Sequence, residues 1–164
     1  MKEVAVFLLL ALMLNGCSSS PSVQAAASGG WQAELLGGIG PASGLSFITQ
    51  FSVGGNGALS VSNFQFLTQI DGGCFPVTVT TTPTGTLDVT YNAADQVTGT
   101  FSFTVVSGGN TLTLTSTSVT GTFNANTNTP LTDGSVIGNW TMTGGAGCND
   151  VSGTFTMTQT GTTT

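Results

Sequence analysis

The stretch Val97-Thr98-Gly99-Thr100-Phe101-Ser102-Phe103-Thr104-Val105 decides the fold. Apolar residues fall on every second position and hydroxyl residues fill most of the others, a period of two rather than 3.6. A half-buried antiparallel strand requires that pattern, because one face meets a core and the other meets water. Leu45, Phe47, Phe51 and Val53 repeat it against Ser46, Gln50 and Ser52, as do Val151, Phe155 and Met157 against Ser152, Thr154 and Thr156. Between Leu59 and Leu67 the phase slips at Ser62-Asn63, and a bulge there restores the register. From residue 31 onward no window shows apolar residues at helical spacing without Gly or β-branched interruption.

Turn signals separate the alternating runs: Gly54-Gly55-Asn56-Gly57, Gly108-Gly109-Asn110, Asp133-Gly134 and the stretch Gly144 to Gly147. The expected fold is all-β, an antiparallel meander of eight or nine strands, closed into a barrel in preference to a two-sheet sandwich. It occupies residues 31–158 as a single domain, followed by a polar tail, 159–164. Three short echoes support the assignment: Val97-Thr98-Gly99-Thr100-Phe101, Val119-Thr120-Gly121-Thr122-Phe123 and Val151-Ser152-Gly153-Thr154-Phe155. Each sets a Gly on the same face as its Val and Phe, where it lets the strand coil and leaves a gap for a neighbouring ring. A Gly-lined ligand groove is the functional alternative.

The triplet Gly138-Asn139-Trp140, followed by the third echo, resembles lipocalin and avidin-type barrels. That resemblance implies barrel architecture and transfers no binding residue. The whole chain also resembles small Gly/Ser/Thr-rich bacterial lipoproteins, a likeness that implies no activity.

Charge excludes several functions. Charged residues make up 5% of the chain and hydrophobic ones 39%, so a packed core is expected rather than disorder. The single basic residue is Lys2, and there is no His. Nucleic-acid affinity rests on Lys and Arg displacing counterions, so no nucleic-acid partner is expected. Ser–His and Cys–His nucleophile pairs and imidazole metal ligands are equally excluded.

The N-terminus carries an export signal. Eleven apolar residues, Val4 to Leu14, are too few for a spanning helix and suit a signal-peptide core. The ending Leu14-Asn15-Gly16-Cys17 resembles the lipobox of bacterial lipoproteins. The resemblance implies a signal peptide over 1–16, cleavage between Gly16 and Cys17, and lipid attachment on Cys17. Ser18 at the next position implies the outer membrane of a Gram-negative bacterium. The alternative is ordinary secretion with cleavage after Ala27. Removing residues 1–16 from the 164-residue chain leaves 148, with 17–30 expected as the lipidated Cys and a flexible tether. Two cysteines then remain, Cys74 and Cys148, and an even pair in an exported chain implies a disulfide.

Other constellations read as structural. Asp88 and Asp95 flank a hairpin, the one carboxylate pair that a hydrolase could use. Asn124, Asn126 and Asn128 open like a calcium loop, but Thr129 and Ser135 replace its Gly and Glu, so no metal is expected. Thr111, Thr113, Thr115 and Thr117 form a hydroxyl row, expected as an exposed strand face. The expectation is therefore a lipid-anchored, non-enzymatic envelope domain without cofactor. It binds a small apolar ligand or envelope component, with a surface-interaction role as the alternative and an Asp-based hydrolase as the remote one.

Overall fold

A computed structural model describes residues 23–68, 73–76, 79, 81–92, 94–127, 131–145 and 147–161. The expected signal peptide, the Gly16–Cys17 junction, Asp71, Asn128 and residues 162–164 lie outside the described residues. One helical turn, α1 (Val23–Ala26), precedes eight strands: β1 (Gly29–Leu36), β2 (Ser46–Val53), β3 (Leu59–Phe66), β4 (Thr84–Tyr91), β5 (Gln96–Ser107), β6 (Asn110–Thr122), β7 (Thr132–Thr143) and β8 (Val151–Gly161). They form one antiparallel sheet in the order β3-β2-β1-β8-β7-β6-β5-β4. Sequence neighbours therefore pair everywhere except between β3 and β4, and β8 returns to β1. This is the all-β, barrel-like meander that the alternation implies, with the two outer strands meeting along a partly open seam.

The expected bulge is present. Gln50 faces Asn63 and Phe51 faces Val61, leaving Ser62 as the extra residue. Further bulges were not legible in the sequence. On β6 the pairing with β7 jumps from Thr115–Asn139 to Ser118–Ile137, and the Ser116 hydroxyl spans the irregularity. It accepts from Ser118 N at 2.8 Å and donates to the Ile137 carbonyl. On β7, Asp133-Gly134 is a bulge within the strand rather than a turn. Asp133 takes φ 53°, a left-handed conformation that Asp adopts more readily than most residues.

The echo glycines pack as the pattern requires. Gly99 lies between Val89 and Val119, Gly121 opposite Val97, and Gly153 opposite Trp140. A side chain there would meet Asp88 O and Val89 at Gly99, Leu131 at Gly121, and Leu36 O and the Trp140 indole at Gly153, so these glycines sit in close packing rather than along a groove.

The folded part begins earlier than residue 31. Val23 and Ala27 are buried, and the N-terminal turn is tied down from three sides. Trp31 Nε1 donates to the Ala27 carbonyl at 3.0 Å, Leu131 N to Ala26 O at 3.3 Å, and Val53 N to the Ser28 hydroxyl at 2.9 Å. Residues 23–30 are thus part of the domain rather than tether, because the turn covers apolar side chains at one barrel end. At the other boundary β8 runs to Gly161, past residue 158.

The opposite end carries the disulfide. Cys74, in the connection between β3 and β4, bonds to Cys148 in the β7–β8 connection, with Cα atoms 5.6 Å apart. The Asn110 amide ties both limbs together, donating to the Cys74 carbonyl and accepting from Gly145 N at 3.2 Å.

Candidate functional site

Trp31, Trp140, Phe47, Phe103, Phe123 and Phe155 are fully buried, so side chains fill the barrel bore. A ladder of rings extends from it toward the seam. Phe103 stacks on Phe47 at 5.8 Å between centroids, Phe47 lies 4.9 Å from Phe64, and Phe64 lies 5.0 Å from Phe66. Phe66 in turn stacks on Phe75, next to the disulfide, at 4.9 Å.

Among the described residues, several partly buried apolar side chains that border the core lie along the seam. β3 and β4 touch through the Ala58–Thr86 bridge and a hydrogen bond from Leu87 N to Gly57 O at 2.8 Å. Beyond this clasp β3 is flanked by Val79 and the segment 81–83, outside the ladder. Leu59, Val61, Phe64 and Val79 pack against the core yet stay only partly buried. An open groove of about 190 Å³ lies between β3 and this segment, lined chiefly by Val61, Phe64, Val79 and Pro83 on its apolar side. Ser62, Asn63, Thr81 and Thr82 supply its polar rim. Thr81 is held by donating to the Val106 carbonyl of β5.

The groove can take an apolar group by contact with the exposed flank of the Phe64 ring, with hydroxyls and an amide at its margin. It offers no charge. Alternation marked Phe64 and Val61 as core candidates, but nothing in sequence marks β3 and β4 as the pair that fails to zip.

The other sequence candidates are dispersed. Asp88 faces Thr100 in mid-strand, while Asp95 sits in the β4–β5 turn with φ 59°, so the two carboxylates do not face each other. Asn124 Oδ1 accepts from Asn126 N at 3.0 Å and Thr127 N at 3.3 Å, the bonds of an Asx turn. Among the described residues no group of three or more His, Cys, Asp or Glu is placed to hold a metal. The row of Thr111, Thr113 and Thr115 faces outward, and Thr117 leaves it at the β6 bulge.

No protein-family model, curated protein or solved structure matches this chain.

Proposed function

We propose that this is a lipid-anchored, non-enzymatic domain of the bacterial cell envelope that holds a small apolar ligand or apolar envelope component in the β3–β4 seam. The observation that carries the reading is the half-buried Phe64 ring, stacked on the core from inside and exposed to the groove. The groove is small and largely polar at its rim, so it suits a short apolar group that lies against the Phe64 ring.

Anchoring through Cys17, on the outer membrane of a Gram-negative cell, rests on the lipobox and is supported by packing. Cleavage after Ala27 would remove Val23 and Ala27 from the barrel end that they cover and deprive Trp31 Nε1 of its acceptor. A cut before Cys17 leaves that turn intact. From Cys17 to Val23 the chain spans at most about 20 Å, so the α1 end lies next to the membrane and the disulfide end points away.

Native mass spectrometry of the full chain, extracted in a polyoxyethylene detergent, tests the site together with titration by an apolar fluorescent probe. Retained ligand and saturable probe binding are expected, with binding lost in Val79→Trp, which fills the groove. Equal binding by Val79→Trp, or neither ligand nor probe binding by the parent chain, would sink the reading.

A further inference from the structure

The pairing of β4 to β8 turns the isolated Thr row into a two-dimensional array. One line across the five strands reads Thr84, Thr104, Thr113, Thr141 and Ser152. The next reads Thr86, Ser102, Thr115, Asn139 and Thr154. A third, beyond the β6 bulge, reads Thr90, Thr98, Thr120, Ser135 and Thr158. Neighbouring positions are about 4.8 Å apart across the strands, and the first two lines are about 7 Å apart along them.

The line between the second and third lines is different, because the bulge breaks it. It carries Asp88 on the outer strand β4 and Ile137 in the middle of the face, 52% exposed. Ile137 pairs with Ser118 on one side and Thr156 on the other. A shallow depression of about 250 Å³ opens beside it, with Thr115, Thr117 and Asn139 at its rim. An exposed apolar side chain thus sits inside a field of groups that both donate and accept hydrogen bonds.

We infer that this outer face binds a neutral polysaccharide, with Ile137 and the depression beside it as the central subsite. A neutral sugar presents hydroxyls that need both donors and acceptors, and C–H faces that need an apolar surface. Ser and Thr hydroxyls and the Asn139 amide meet the first need, and Ile137 meets the second. Charge complementarity selects the same partner. The three lines contain no ionised group, so an anionic polymer finds no cation here, and a cationic one finds carboxylates only at the two margins, Asp88 on β4 and Glu34 beside Thr156 on β1. Thr side chains are stiff at χ1, so little freedom is lost when the array is engaged. The central subsite, on β6 and β7, is separate from the seam and has other chemistry, although β4 borders both.

The test is retention of the full chain, in polyoxyethylene detergent, on cellulose and on cross-linked amylose, with polygalacturonate gel as the anionic probe. Retention on at least one neutral polymer and none on polygalacturonate is expected. Ile137→Asp and Thr141→Asp each place a charge on the outward face and are expected to weaken retention by about tenfold or more. Ser52→Asp, an exposed position on β2, is expected to leave it unchanged, as is the seam-filling Val79→Trp. Circular dichroism and the melting temperature show that each variant is folded. Retention on neither neutral polymer, equal retention on polygalacturonate, or charged variants that are folded and bind like the parent would each overturn the inference.

Discussion

Trp140 on β7 and Gly153 on β8 are direct cross-strand partners, and the indole edge occupies the space that a side chain on Gly153 would take. From there Trp140 Nε1 donates to the Leu36 carbonyl at the end of β1, at 2.9 Å. One missing side chain thereby lets a fully buried ring join three strands. A Cβ on Gly153 would fall on that same Leu36 oxygen and within 2.8 Å of the indole nitrogen. Gly153→Ala is expected to destabilise the fold by about 2–4 kcal/mol through overpacking and loss of a buried hydrogen bond. Gly145→Ala, where nothing lies within 4 Å, is expected to stay within about 0.5 kcal/mol. Urea denaturation followed by Trp fluorescence measures both, and equal midpoints would refute the packing account.

The disulfide closes a long loop, its cysteines 74 residues apart in sequence. Chain-entropy arguments put its contribution at about 4 kcal/mol. The Cys74→Ala/Cys148→Ala variant is expected to lose about that much unfolding free energy, seen as a lower denaturation midpoint. Added dithiothreitol should reproduce the shift in the parent chain and leave the variant unaffected. A parent midpoint insensitive to reduction would show that the pair does not brace the fold.

Asn110 is expected to matter beyond its place at the head of β6. Its amide bonds the Cys74 carbonyl and Gly145 N, one partner on each limb of the disulfide-bearing end. Asn110→Ala is expected to cost about 1–2 kcal/mol and to speed reduction of the disulfide by thiols. An unchanged reduction rate would count against the brace.

At the other end, Trp31→Phe keeps a ring to stack on Phe51 but removes the bond to Ala27. The stranded carbonyl is expected to cost about 1–2 kcal/mol. Hydrogen exchange should rise in residues 23–28 more than in the middle of β6. Uniform exchange across both would mean that the turn is not held by this bond.

Anchoring has its own expected outcome. Radioactive palmitate is expected to label the parent chain and not Cys17→Ala. Lys2 is the chain's one trypsin site, so the denatured mature protein is expected to resist trypsin completely. Equal labelling of both forms would remove the lipid from the proposal.

Much of the fold could be read directly. Alternation in Val97–Val105 and its relatives set the strand class and separated inward from outward residues, because a pleated strand sends successive side chains to opposite faces. The phase slip at Ser62 was legible for the same reason: an extra residue inverts the alternation unless a bulge absorbs it. The bulges at Ser116–Ser118 and Asp133-Gly134 were not, since the first looks like continued alternation and the second like a hairpin turn. Residues 23–30 looked like tether because their composition is small and polar, and only contacts with the barrel end mark them as part of the domain.

What the sequence determined by itself is what each residue can do: which side chains avoid water, which carry charge, and which two cysteines are left to pair. Those are local properties, written residue by residue. The tertiary structure decided which strands become neighbours. Pairing between distant segments turned one Thr row into a hydroxyl face across β4 to β8. The same pairing left β3 and β4 joined only at Ala58–Thr86, with Phe64 half-covered in the gap between them. Neither proposed site lies in one stretch of chain, because both come from sheet closure, which no local pattern encodes.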